Sequence, residues 1–171
     1  MPDPLDAAAA RRRKARYLLL SLLILVADQW TKWLIEIHVP LHVAEPIVPG
    51  FLNLTHVRNT GVAFGMFPAG SHLPSLLGLV GMSLLAMGVV AYYFLRTPAE
   101  DRGLLVALAL VLGGAVGNLI DRLFAGAVTD FVDAYVGLHH WPAFNVADSA
   151  ITIGLCLLAI DALRPHRAAT T

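Results

Sequence analysis

Four long stretches of this chain are strongly apolar, at about 17–37, 73–95, 103–122 and 144–163, and two mixed stretches separate the first from the second and the third from the fourth. Each apolar stretch approaches the roughly 20 residues that an α-helix needs to cross a hydrocarbon core about 30 Å thick. The pattern predicts four membrane spans. In the first mixed stretch, Phe51-Leu52-Asn53-Leu54-Thr55-His56-Val57 interleaves apolar and polar residues and runs into the turn signal Asn59-Thr60-Gly61, which predicts a small sheet outside the membrane. Residues 1–10, with Pro2, Pro4 and an alanine run, and the final Ala-Ala-Thr-Thr read as mobile tails.

Charge gives the orientation. Arg11, Arg12, Arg13, Lys14 and Arg16 precede the first span, Arg96 and Arg102 flank the turn between the second and third, and Arg164 and Arg167 follow the fourth. The two opposite segments, 38–72 and 123–143, hold one basic residue, Arg58, with Arg122 at the border. Basic residues mark the cytoplasmic side, so residues 1–16 form a cytoplasmic tail and both termini lie inside. The first span has no small-residue cleavage site after its apolar run and is expected to stay as an anchor.

Composition agrees. Of 171 residues, 57% are hydrophobic and 14% charged, more apolar surface than a soluble domain of this size could bury. The formal net charge is zero, which excludes nucleic-acid binding as a reading. The single cysteine, Cys156, lies in the fourth span and reads as packing.

Ionisable residues inside apolar segments are costly, which makes them candidates for function. Asp28 and Lys32 are four apart in the first span and can pair on one helix face, with Lys32 also able to snorkel outward. Asn118, Asp121 and Arg122 fall near the outer end of the third span, and Asn145 and Asp148 near the outer start of the fourth, with Asp130 between. The polar groups of three spans thus gather at one boundary.

Asp130 and Asp148 admit two readings. Asp148 could simply cap a helix, favoured by the positive N-terminal end of the fourth span. Alternatively, two carboxylates brought close cannot easily both ionise, and such a pair can share a proton and activate water. Asp133, three residues after Asp130, competes for the first position, and spacing leaves that choice open. Asp121 beside Arg122 reads as structural support or an anchor to lipid phosphate. Gly113, Gly114 and Gly117 read as a close helix contact, and the Asn-x-x-Asp spacing shared by Asn118/Asp121 and Asn145/Asp148 as coincidence. The adjacent His139 and His140 do not form a zinc motif, and no serine sits in a nucleophile elbow. An ion-coupled carrier through Asp28, Lys32, Asp121 and Asp148 is the alternative from another class, and a membrane scaffold a third.

Five blocks carry a family resemblance: Asp28-Gln29 with Lys32; Asn59-Thr60-Gly61-Val62-Ala63-Phe64; Gly117-Asn118-Leu119-Ile120-Asp121-Arg122; Val128-Thr129-Asp130-Phe131; and Phe144-Asn145-Val146-Ala147-Asp148-Ser149-Ala150. In order and spacing the chain resembles the lipoprotein signal peptidases, the bacterial type II signal peptidases, over nearly its whole length. The resemblance implies one membrane-embedded peptidase domain: an all-α polytopic protein of four transmembrane helices with a small extracytoplasmic β-sheet and helix. It implies an aspartic endopeptidase of the bacterial inner membrane that cuts diacylglyceryl-modified prolipoproteins immediately before the lipidated cysteine, near the outer leaflet, working as a monomer without metal or cofactor. On this match Asp130 and Asp148 are the catalytic pair. Asp28, Lys32, Asn59, Gly61, Asn118, Asp121, Arg122 and Asn145 surround it.

Overall fold

The computed structural model describes residues 4–61 and 72–163. Val62, Ala63 and Phe64 of the second block, Arg164, Arg167 and the C-terminal tail lie outside the described residues. Among the described residues four helices form, α1 (Pro4–His38), α2 (His72–Arg96), α3 (Arg102–Ala125) and α4 (Val146–Leu163), together with four strands, β1 (Ala44–Val48), β2 (Leu52–Asn59), β3 (Val128–Val136) and β4 (His139–His140). All four helices are long and apolar enough to cross a membrane. The extracytoplasmic helix expected with the sheet is not among the described residues.

The first helix departs from expectation at its start. It is continuous from Pro4, whereas residues 1–10 are expected from the sequence to form a mobile tail. The reason is local: Ala7 to Ala10 have the strongest helix propensity of any residue type, and Pro4 occupies the first helical position, where its missing N–H costs nothing.

Because β1 and β2 lie between α1 and α2, and β3 and β4 between α3 and α4, the sheet gathers at one end of the bundle. The end of α3 and the start of α4 meet there. Helix α3 is central, packing on α1, α2 and α4, and it supplies most of the buried helical residues. Its glycines permit this closeness. A Cβ on Gly113 would lie 2.7 Å from the backbone oxygen of Ser21 on α1, and one on Gly114 would collide with the Ala147 carbonyl on α4. The close-contact expectation for these glycines therefore has a direct structural basis.

Toward the other end, Phe94, Leu105, Leu108 and Ala109 form one buried cluster, with Tyr17 and Leu20 of α1 against it. A second cluster, Ile35, Val39 and Phe131, joins α1 to the sheet. The outer face of α1 leaves Leu19, Leu22, Val26, Trp30 and Trp33 exposed, and among the described side chains of α2 Phe94 alone is buried. In a bilayer those faces meet acyl chains, and burial against protein is not needed.

The sheet is antiparallel in the order β1-β2-β3-β4. A bulge in β2 between Leu54 and Val57 sets the geometry that matters, because Leu54 pairs with Val132 but Val57 pairs with Asp130. One extra residue on β2 reverses which of its side chains share a face with β3. The result places Asn59, two residues beyond Val57, on the face of Asp130, while Asn53, before the bulge, directly opposes Asp133.

Candidate active site

Asp130 sits on β3 and is 2% exposed. One carboxylate oxygen accepts the Asn145 amide at 2.7 Å and the other accepts the Asn59 amide at 2.9 Å. Gly61 fixes the second donor: its backbone N–H, at a φ of 72° that favours glycine, donates to Asn59 Oδ1 at 2.8 Å. With that oxygen occupied, the Asn59 amide nitrogen is the end turned to Asp130.

Asp148 is in the first turn of α4, and its environment explains how the helix starts. Asn145 precedes Val146, and its side-chain oxygen accepts the backbone N–H of Asp148 at 2.8 Å. Asp148 Oδ2 in turn accepts the backbone N–H of Asn145 at 3.2 Å. This is a reciprocal capping box with an aspartate in the usual place of glutamate. The capping reading of Asp148 is thus real, and it coexists with the acid pair. The Asn145/Asp148 spacing, which the sequence leaves as coincidence, is the spacing this cap requires.

The strand and the helix are tied together. Phe131 and Val132 donate their backbone N–H groups to the Phe144 carbonyl at 3.1 and 2.9 Å, and Phe144 donates to Val132 at 3.1 Å. That pairing sets Asn145 between the two acids, its amide donating to Asp130 and its oxygen held by the Asp148 backbone.

Behind the pair lies a buried ionic cluster. Lys32, 3% exposed, donates to Asp28 Oδ2 at 2.7 Å, to Asp121 Oδ2 at 2.8 Å and to Asn118 Oδ1 at 3.0 Å. All three ammonium protons have acceptors. Lys32 therefore faces inward, and outward snorkelling is not what it does. With its oxygen held by Lys32, Asn118 turns its amide nitrogen to Asp148 Oδ1 at 2.7 Å. The free oxygen of Asp28 accepts the backbone N–H of Ala147 at 2.9 Å, satisfying another donor at the start of α4. Asp121 pairs with Lys32, while Arg122 donates to the Asn118 carbonyl at 3.3 Å. The adjacent acid and guanidinium thus serve different partners.

Asp133 separates from the pair by parity. Residues three apart on a strand point to opposite faces, and Asp133 accepts Asn53 Nδ2 at 2.8 Å and pairs with His140 Nδ1 at 2.8 Å. His140 also stacks on Tyr135, with ring centroids 4.8 Å apart. Partial burial pushes the Asp133 carboxyl up, but the bonds from His140 and Asn53 outweigh it and hold the group below the usual aspartate value. Asp130 moves the other way. Burial first, and then the negative charge of Asp148, push its carboxyl up to about 6 against the opposing bonds from Asn59 and Asn145.

Three further residues belong to the surroundings. Gln29 donates to Asp121 Oδ1 at 2.9 Å, Thr129 donates its hydroxyl to Glu36 at 2.8 Å, and the Thr129 N–H reaches Asp121 at 3.4 Å. Gln29 and Thr129 stand in the matched blocks, beside Asp28 and Asp130. Glu36 has no comparable signal beyond lying four residues after Lys32.

The pair also has an approach. Asp148 lines an apolar cavity of about 310 Å³ with Trp141, Phe144, Ser149, Thr152 and Ile153. Two carboxylates held by one asparagine, Asp130 through its side-chain amide and Asp148 through its backbone N–H, one buried and one facing a cavity, form a pair that can share a single proton.

A family model described as Signal peptidase (SPase) II matches residues 20–164. The chain belongs to the signal peptidase II family. It is 40% identical to the lipoprotein signal peptidase of Syntrophus aciditrophicus (strain SB), over 88% of this chain and 94% of that one. It is also 40% identical to the lipoprotein signal peptidase of Halalkalibacterium halodurans, over 90% of this chain and 95% of the relative. Among solved structures, a bacterial membrane enzyme aligns with a TM-score of 0.78 at 30% identity, covering 88% of this chain and 94% of its own. As a signal peptidase II, the molecule is a multi-pass membrane peptidase, and the bundle with its small sheet is a membrane-enzyme fold. The ion-coupled carrier draws no support from these relatives.

Proposed function

We propose that this protein is the aspartic endopeptidase that removes signal peptides from diacylglyceryl-modified prolipoproteins, with Asp130 and Asp148 as its catalytic dyad and cleavage immediately before the lipidated cysteine. One observation carries the reading: Asn145 joins the two acids, while Asn59 and Asn118 each hold one of them from the other side. The names of the relatives supply the substrate class.

The mechanism follows from the two environments. Asp130, the more buried acid with its carboxyl raised to about 6, carries the shared proton, and Asp148, facing the cavity, is the base. An apolar substrate seated over the site adds to the same burial and raises Asp130 further. Asp148 takes a proton from water as the water oxygen bonds to the scissile carbonyl carbon, and Asp130 gives its proton to the carbonyl oxygen. In collapse, Asp148 returns its proton to the cysteine nitrogen as the C–N bond breaks. Asp130 recovers a proton from the hydroxyl that becomes the new carbonyl. Both acids end as they began.

The arginine and lysine distribution supports an orientation with both termini in the cytoplasm of a bacterial inner membrane and the sheet outside. The dyad then lies near the outer leaflet, where the signal helix and its acyl chains can enter laterally and where the cavity beside Asp148 receives apolar substrate. A single chain holds every group the step uses.

The test is cleavage by the purified protein of a diacylglyceryl-modified prolipoprotein and of the same precursor without lipid. Mass spectrometry of the products should place the new N-terminus at the lipidated cysteine, with the unmodified form cut poorly. Equal processing of both forms would remove the lipid requirement, and cleavage elsewhere would remove the assigned bond.

A further inference from the structure

At the end of the bundle away from the sheet, a cavity of about 490 Å³ opens between the start of α1 and the start of α3, lined by Arg13, Arg16, Tyr17, Ala99, Glu100 and Arg102. Three guanidinium groups and one carboxylate border it. Arg13 is paired with Glu100 at 3.2 Å, and no ion pair involves Arg16 or Arg102 among the described residues. The neighbouring cations are otherwise engaged. Lys14 donates to the carbonyls of Phe94 and Leu95 at 3.3 and 2.7 Å, closing the end of α2, and Arg96 lies over the Tyr92 ring at 5.4 Å. What faces the cavity is therefore an excess of two positive charges in guanidinium form, the geometry suited to bidentate phosphate contact.

Its depth points to the ligand. Tyr17 begins the apolar part of α1, and tyrosine is enriched where headgroups begin. A basic pocket between membrane helices at that level matches the headgroup of an anionic lipid. The cavity is also large beside the ~30 Å³ share of a water molecule. We propose that this cavity is a binding site for the phosphate of an anionic phospholipid, held by Arg16 and Arg102 with Arg13 at its edge, far from the acid pair. The binding stands independently of the proposed catalysis. Only its assignment to the cytoplasmic leaflet rests on the orientation proposed above.

The experiment is native mass spectrometry of the full chain in detergent, titrated with dioleoylphosphatidylglycerol or dioleoylphosphatidylcholine. Wild type is compared with Arg16→Gln/Arg102→Gln and with Arg11→Gln/Arg12→Gln, which removes the same charge from α1 outside the cavity. Tryptophan fluorescence during thermal unfolding checks that each variant is folded. Wild type and the control variant should retain the anionic lipid, and the cavity variant should bind it about 30-fold more weakly, from roughly five- to sixfold per arginine. Equal weakening in both variants would reduce the effect to diffuse charge and overturn the site. Equal retention of the zwitterionic lipid would overturn it as well. Displacement of the lipid by inorganic phosphate at millimolar concentration would assign the cavity to a soluble anion instead.

Discussion

Replacing Lys32 with methionine keeps much of the side-chain volume and removes the ammonium shared by Asp28, Asp121 and Asn118. Both carboxylates and the lysine are almost wholly inside the protein, with side-chain exposures of 4% for Lys32, 0% for Asp28 and 10% for Asp121. Removing one partner of a buried ion pair leaves an uncompensated charge, at a cost of about 3–5 kcal/mol. The variant should therefore lose about that much stability, measured by unfolding in mixed micelles with increasing dodecyl sulfate and read by tryptophan fluorescence. Activity should fall too, by on the order of 10²-fold, because Asn118 loses the contact that fixes its amide and misplaces Asp148. A second substitution locates the cause. Asp121→Asn should cost less in the methionine background than in wild type, by about 0.5–3 kcal/mol, since it removes a charge that no longer has a partner. A methionine variant within about 1 kcal/mol of wild type that cleaves at the normal rate would refute the argument that Lys32 organises the site.

Two other outcomes follow from the acids. Asp130 should titrate near 6 in wild type by carbon-13 labelling of aspartate, and lower in Asp148→Asn, because the charge of Asp148 is one cause of its upward shift. Its raised value also means that the folded state binds this proton more tightly than the unfolded one, so this group's contribution to stability falls as pH rises from about 4 to about 6. An Asp130 titration that does not move in the asparagine variant would contradict the coupling. Asp133→Asn should cleave at close to the wild-type rate, since its partners Asn53 and His140 lie away from the pair. The lost bonds should cost roughly 1 kcal/mol in the unfolding assay. A tenfold or greater loss of turnover would mean that strand parity does not separate the two acids.

The spans are legible in the sequence because apolar run length is a direct physical requirement of the bilayer, and the helices depart from it mainly at the ends. α1 runs further because alanine continues a helix past the membrane boundary. The strand around residues 52–59 also shows, but β3 does not. Val128-Thr129-Asp130-Phe131-Val132-Asp133 has no clean alternation, since its first four residues are all buried, Thr129 and Asp130 among them. Spacing therefore leaves Asp130 and Asp133 open as alternatives; the family match selects Asp130, and the strand pairing adds that the two lie on opposite faces. The family blocks name Asn59 and Gly61, but the bulge that brings Asn59 to Asp130 is a matter of pairing register and has no local signature. Lys32 illustrates the same limit. Its i,i+4 partner Asp28 is readable from spacing, whereas Asp121 and Asn118 come to it only through the packing of α3 on α1.

The most direct test of the account is turnover of a diacylglyceryl-modified prolipoprotein by Asp130→Asn and by Asp148→Asn, each shown to be folded by its thermal unfolding. Asparagine keeps the shape of each carboxyl and one of its two accepting oxygens but cannot take up and return a proton. Both variants should lose cleavage while wild type cuts before the lipidated cysteine. Near-normal turnover by either folded variant would contradict the dyad.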